Sequence, residues 1–385
     1  MEPERIDRIR RAFEANFASG REVGAALSIW SGGREEVHFC GGFRDAARTV
    51  PWTPETLVLI WSATKGIAAA CALRVIESFG CDLEMPVARL WPEFSGGGKA
   101  GVTLGQVLSH QAGLAALGVQ GLDVLDHESV VRAIETQPPL WDVGHGHGYG
   151  PRTFGFLVDE IVRRATGEVS LGAYWRSELA DPLALDLWIG LPESEFPRVA
   201  TMLPPRAEDL RGGDPFFEAF ADPGSLTRRA FSSPGGLASV SSMNSPAARS
   251  ASLPGMGGIG TASSLAKFYA ILAEGGRWNG KSHWGDSAMG WMSNRLTQGP
   301  DKVLLTDTAF SAGFLMDPLD AFGNKLRAIL GPSPGAFGHP GAGGSLAFAD
   351  PANRIGFAYV MNRMEPGALP GERALSLVRA LYDPL

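Results

Sequence analysis

Lysine is scarce in this chain: 385 residues hold six, at positions 65, 99, 267, 281, 302 and 325. The net charge of −7 with 19% charged residues argues against nucleic-acid binding, which needs clustered Lys and Arg to neutralise phosphates. No apolar run reaches the roughly 18 residues that a membrane-spanning helix needs, so no membrane anchor is expected. Cys40, Cys71 and Cys81 are too few and too unevenly placed for a disulfide framework. The first residues, Met1-Glu2-Pro3-Glu4-Arg5-Ile6-Asp7-Arg8, read as the start of a charged amphipathic helix rather than a signal peptide. A reducing cytoplasm is the expected compartment.

What is present is an ordinary apolar fraction, 44%, and an excess of glycine, 50 residues. The first supports a large buried core; the second implies many tight turns and close backbone approaches. Apolar residues at 6, 9, 13 and 17 mark a helix over Arg5–Phe17. Val23–Trp30 and Glu36–Cys40, separated by Ser31-Gly32-Gly33, read as an antiparallel strand pair. Leu57–Trp61 is an apolar approach to Ser62, and Ser62–Phe79 reads as a buried helix stopped by Gly80. Helices are expected at 104–109, 129–137, 153–166 and 261–274, with a long Pro-, Gly- and Ser-rich stretch over 191–258. Strands return at 309–316, 326–330, 345–349 and 355–361 before a closing helix at 371–381. The reading is an α+β fold. Residues 1–61 and 300–385 build an antiparallel sheet flanked by N- and C-terminal helices. Residues 62–299 form an inserted, mainly helical domain with long loops, and the site lies at the junction.

The candidate nucleophile sits in Ser62-Ala63-Thr64-Lys65. Residues three apart share a helix face, so the Lys65 amine reaches the Ser62 hydroxyl. A serine hydroxyl attacks only when a neighbour takes its proton, and a lysine can do so once apolar surroundings lower its pKa. The spacing alone is weak: 29 serines and six lysines give about 0.45 chance matches, and two occur. The second, Ser264-Leu265-Ala266-Lys267, lies on a helix with ordinary polar positions, whereas Ser62 follows five apolar residues and opens a helix too apolar to be exposed.

Three motifs in order give a further reading. They are Ser62-Ala63-Thr64-Lys65, then Tyr149-Gly150-Pro151 just before a helix, then His339-Pro340-Gly341 leading into Gly343-Gly344-Ser345. Leu108-Ser109-His110-Gln111-Ala112-Gly113-Leu114 lies between the first two. In these motifs the chain resembles the serine β-lactamase and penicillin-recognising superfamily, and within it the family VIII carboxylesterases. The resemblance implies that Ser62 is acylated and that Lys65 and Tyr149 share the proton work. It also implies an oxyanion hole from the backbone amides of Ser62 and Ala342, and substrate contacts at His339, Gly341 and Trp61. No cofactor and no metal are implied, and the expected partner is a small-molecule ester. Two departures shape the substrate. Pro151 stands where β-lactamases and peptidases of this fold carry Asn, and His339 stands where they carry Lys. Those groups contact a substrate's amide and carboxylate, so their replacement favours neutral esters. A β-lactamase or D-amino-acid peptidase activity, acyl transfer on the same site, and a non-catalytic binding protein are the alternatives.

Several rival signals carry less. His145-Gly146-His147 has no third ligand at metal spacing. The Gly-x-Gly-x-x-Gly matches at 96–101 and 255–260 follow no strand of a βαβ unit. His110 reads as an interior histidine joining two helices. Glycines on both sides of Tyr149 suggest an exposed loop ring, and without the resemblance that is the favoured reading.

Overall fold

The computed structural model describes residues 1–209 and 214–383; residues 210–213, inside the long 191–258 stretch, and 384–385 lie outside the described residues. Pro3 presets the first turn of α1 (Pro3–Ala18), and Ile9 and Phe13 are its buried stripe. The hairpin β1 (Gly24–Ser31) and β2 (Arg34–Gly42) follows. Next come β3 (Val58–Trp61) and α2 (Thr64–Ser78), in which 12 of 15 residues are buried, so this helix is enclosed on all sides. The middle holds α3 (Leu104–Leu108), α4 (His127–Thr136), α5 (Thr153–Thr166), α6 (Leu171–Trp175) and β4 (Leu187–Ile189).

The described part of 191–258 is richer in structure than its composition indicates. It forms α7 (Pro215–Ala221), α8 (Leu226–Ser232), α9 (Val240–Met243) and α10 (Pro246–Ser250). Each opens on a side-chain cap, from Asp214, Ser225, Ser239 and Ser245. At four to seven residues, none is long enough to show a helical period. Then come β5 (Gly258–Gly260), α11 (Ala262–Ala273), the small hairpin β6 (Arg277–Trp278) and β7 (Lys281–Ser282), and α12 (Asp286–Ser293). The chain closes with β8 (Thr297–Pro300), β9 (Asp307–Phe310), β10 (Leu315–Met316), β11 (Phe337–Pro340), β12 (Leu346–Asp350), β13 (Ile355–Met361) and α13 (Glu372–Tyr382).

Eight strands make one antiparallel sheet in the order β2-β1-β13-β12-β11-β10-β9-β8. Register fixes its two faces. Trp30 pairs with Gly356, and a Cβ at Gly356 would lie 2.2 Å from the Ala270 amide nitrogen, so α11 lies directly on that face. Ala25 pairs with Gly41, whose Cβ position faces Phe17 of α1, so α1 and the α13 packed beside it cover the opposite face. With helices on both faces, β1 and β13 are buried almost throughout, which is why both read as unbroken apolar runs.

Some expectations need correction. The single strand read at 309–316 is the hairpin β9–β10, turning at Gly313 (φ +86°), where a Cβ would meet Ala69 of α2 at 2.3 Å. The strand read at 326–330 is a turn, because the buried Asp317 carboxylate takes the amides of Ile329 and Leu330 at 3.1 and 3.0 Å. β11 was not read as a strand: its Gly338 and Pro340 hide the pattern, yet Gly338 is required where a Cβ would sit 2.2 Å from the Ala347 carbonyl oxygen. Two elements also lie across the division at 62 and 299. β3 pairs with β5, not with the large sheet, and α11 packs on that sheet. Leu57–Ile60 is apolar on every position because β3 is covered on both sides, and α11 is buried along nearly its whole length.

Candidate active site

Ser62 lies in the turn between β3 and α2, half-buried, with Lys65 in the first turn of the helix. The turn is bent hard. Trp61 has φ +51°, a left-handed conformation that a bulky side chain rarely adopts and that is maintained only where the surroundings fix it. Thr64 supplies part of that fixing: its hydroxyl donates to the Trp61 carbonyl and accepts from the Gly258 amide at 2.8 Å. Gly258 has no room for a Cβ, which would meet Thr64 Oγ1 at 2.5 Å. The strand pairing of β3 with β5 therefore aims the Ser62 turn.

Lys65 is fully buried. Its Nζ lies 2.8 Å from the Pro151 carbonyl oxygen, 2.6 Å from that of Gly255, and 3.3 Å from Ser62 Oγ. Burial holds its pKa well below the ordinary lysine value, and no carboxylate opposes that shift. A neutral amine has two N–H bonds and one lone pair. The two carbonyls, which can only accept, take two N–H bonds of the amine, and its third direction is toward Ser62 Oγ. Gly255 comes this close because Gly155 on α5 has no side chain: a Cβ there would sit 2.4 Å from the Gly255 amide. Sequence reasoning missed both acceptors, since a backbone carbonyl leaves no residue-type signal. Gly255 carried a trace as the first glycine of the rejected 255–260 match.

Tyr149 is buried, not exposed as its flanking glycines allowed. Lys65 Nζ lies 5.0 Å from its ring centroid. Burial raises the phenol above its usual range, while the Ser62 side chain, as its hydrogen-bonding partner, pulls the other way. The ring stacks on Phe310 at 6.2 Å with the planes 5° apart and meets the His110 ring edge-on at 5.1 Å. Its backbone is pinned from two sides. The buried Asp301 carboxylate accepts from the Tyr149 amide at 3.1 Å and from Val303, Leu304 and Thr308. His110 Nδ1 accepts from the Gly150 amide at 3.2 Å, so its proton is on Nε2. His110 thus joins the end of α3 to the Tyr149 loop, and burial keeps it neutral. His147 is committed on both ring nitrogens, to Thr308 at 2.7 Å and Thr297 at 3.0 Å. Among the described residues no cluster of three His, Cys, Asp or Glu side chains is arranged to hold a metal.

The third motif closes the site. Gly341 abuts the Ser62 turn, since a Cβ on it would lie 2.2 Å from the Ile60 carbonyl oxygen. Ala342 is at the tip of the β11–β12 connection, in a turn closed by Gly341 N–H to Ser345 O at 2.7 Å and Gly344 N–H to Gly341 O at 3.2 Å. Among the described residues the Ser62 and Ala342 amides donate to no backbone or side-chain acceptor. His339 is buried with its ring 5.8 Å from that of Tyr149. Its Nδ1 lies 2.7 Å from the Pro340 carbonyl, which places the proton on Nδ1 and leaves Nε2 as a buried acceptor without a partner. Burial, reinforced by Lys65, pushes its pKa down to about 3. Trp61 is half-buried with its Nε1 unpartnered.

A buried cluster of Arg373 with two carboxyl groups supports the turn from behind. The Glu365 amide donates to the Gly343 carbonyl at 2.9 Å, and Arg373 ties Glu365 (3.0 Å) to Glu22 (2.8 Å). The second Ser-x-x-Lys match is spent elsewhere. Ser264 Oγ accepts from the Asp186 amide at 2.9 Å, and Lys267 donates to the Leu183 carbonyl at 2.7 Å.

The beta-lactamase family model matches residues 9–381 of the chain. The esterase/beta-lactamase LipL of Mycobacterium tuberculosis is 34% identical over 361 residues, spanning 92% of this chain and 80% of that protein. The crystal structure of a family VIII carboxylesterase superposes with a TM-score of 0.86 at 35% identity, covering 99% of this chain and 97% of the other. A penicillin-binding protein homologue from Caulobacter crescentus gives 0.87 at 35% identity, with 98% and 97% covered.

Proposed function

The chain belongs to the beta-lactamase family, and from that premise we propose that it is a serine carboxylesterase acting on small to medium neutral esters. The observation that carries this reading is the Lys65 amine. Two carbonyls take its N–H bonds, and its remaining direction is on Ser62 Oγ at 3.3 Å, beside Tyr149.

In this mechanism neutral Lys65 takes the Ser62 proton as Oγ bonds to the ester carbonyl carbon. The carbonyl π electrons move onto oxygen, which the Ser62 and Ala342 amides hold; one such donor is worth about 3 kcal/mol in the transition state. As the tetrahedral intermediate collapses, the carbon–alkoxy bond breaks and Tyr149, a protonated phenol at neutral pH, gives its proton to the leaving alcohol. The Lys65 ammonium returns a proton to Tyr149, which leaves the acyl-enzyme with its neutral amine restored. Water then attacks along the same path in reverse, and carboxylic acid and free Ser62 result.

His339 favours an uncharged substrate. Where the related β-lactamases place a lysine, this site offers a neutral imidazole with an open acceptor, which has no attraction for a carboxylate. LipL carries both activities in its name, so the test pairs a nitrophenyl ester panel with a chromogenic cephalosporin. Turnover of the esters at rates well above the cephalosporin is the expected result. The reverse ranking overturns the ester reading.

A further inference from the structure

The catalytic trio does not account for a cleft of about 610 Å³, formed where α7, the 304–306 turn and the 366–371 segment meet. Phe216, Phe217, Leu304, Leu305, Ala368 and Leu369 are among its walls. That volume is in the range of a small-molecule site. Asp214 and Thr306 are the polar side chains of its lining, Asp214 accepting from the Phe216 amide at 2.8 Å and Thr306 from Arg327 at 3.2 Å, and the other lining side chains are apolar. An occupant with a large apolar surface fits this lining.

One wall of the cleft packs with Tyr149. Leu304, Val303 and Tyr149 share one buried cluster, with Phe216 and Ala368 packed against it. The same Asp301 carboxylate that holds the Tyr149 amide holds those of Val303 and Leu304, and the Asp301 carbonyl takes the Leu305 amide at 3.0 Å. One buried residue thus fixes the cleft wall relative to the phenol. On the other side, Met364 and Glu365 lie against Gly343, next to Ala342, and lead directly into 366–371. Leu305 is unusual in itself. It is a non-glycine residue at φ +56° with its side chain 45% exposed, a strained backbone that presents an apolar group at the cleft.

We propose that this cleft binds the alcohol portion of the ester, and that the enzyme prefers esters of bulky apolar or aromatic alcohols. The assignment rests on the esterase reading above. Tyr149 protonates the leaving oxygen, so the alcohol extends to the Tyr149 side of the scissile bond, and the cleft wall is anchored to that side.

Two ester series test it. Acetates of methanol, butanol, benzyl alcohol and 2-naphthol vary only the alcohol; nitrophenyl acetate, butyrate and octanoate vary only the acyl group. Ala368→Trp fills the cleft, and Leu305→Gly removes a wall side chain while relieving the left-handed strain, so the second variant keeps the fold even if the first does not. Every rate is taken as the excess over Ser62→Ala. The expected result is a naphthyl-to-methyl acetate ratio of kcat/KM that falls about tenfold or more in each folded variant, with the acyl-chain preference unmoved. A shift in acyl preference, equal loss on both series, or an unchanged alcohol ratio overturns the proposal. If the esterase reading itself fails, no Ser62-dependent rate remains in any series, a result distinct from each of these.

Discussion

Gly341→Ala isolates the geometry of the oxyanion hole. A Cβ at this position would sit 2.2 Å from the Ile60 carbonyl oxygen and 3.2 Å from Ser345 Cβ. Neither neighbour is a flexible side-chain end: the first is backbone beside the Ser62 turn, the second the Cβ of the residue just before β12. Gly341 does not have a positive φ, so alanine adds no backbone strain of its own. Relief must come from separating the Gly341 backbone from β3 by about 1 Å, to reach an ordinary van der Waals distance. Ala342 is the next residue, and its amide moves with it. A donor displaced by about 1 Å from a distance near 2.9 Å no longer makes a hydrogen bond. Losing one oxyanion donor costs about 2.7–4 kcal/mol, or 10²–10³ in kcat, with KM little changed because the contact forms in the transition state. Steady-state kinetics on a nitrophenyl ester, with a thermal melt to confirm folding, reads the effect. A folded variant with kcat within threefold of the parent refutes the reasoning.

Further outcomes follow from other contacts. Lys65 must be neutral to act, so kcat/KM is expected to rise with pH through a lysine pKa depressed by burial and to fall below it; Lys65→Met should lose about 10²–10⁴ in rate across a pH–rate profile. Asp301→Ala strips the buried acceptor from the Tyr149, Val303 and Leu304 amides, and should lower both unfolding free energy, by about 2 kcal/mol or more, and kcat; denaturant melts and kinetics check this. Glu22 is raised by burial to about 8, so it stays protonated in the fold where the unfolded chain has ionised. Its stabilising contribution is complete below the ordinary carboxylate pKa and is lost as pH rises toward 8, so Glu22→Gln should flatten the decline in Tm between pH 5 and 8. Ser264→Ala should leave kcat/KM unchanged and cost about 1 kcal/mol for its bond to the Asp186 amide, measured by urea unfolding.

Elements with a strong period or an unbroken apolar run were legible: α1, α2, α5, α11, the β1–β2 hairpin and β13 match their sequence patterns closely. β11 was not legible because its requirement for Gly338 comes from a neighbouring strand rather than from its own alternation. The turn at 326–330 was misread for the converse reason, an apolar segment whose amides go to a distant carboxylate, Asp317. At the site, side-chain chemistry and spacing marked Ser62 and Lys65, only the family resemblance marked Tyr149, and the structure brings the three together. The groups that orient them left few: the Pro151 and Gly255 carbonyls have no sequence signature, and Asp301 lies 152 residues from the amide it holds. His110 was read correctly as an interior residue, but its role in fixing the Tyr149 loop depends on a left-handed backbone, φ +62°, that histidine rarely adopts.

Covalent labelling with a nitrophenyl phosphonate, followed by mass mapping of the modified peptide, measures the nucleophile directly. The account predicts a single adduct on Ser62, formed in step with loss of ester turnover and absent from Ser62→Ala. An adduct on Ser264 or any other residue, or full inactivation with Ser62 unmodified, contradicts it.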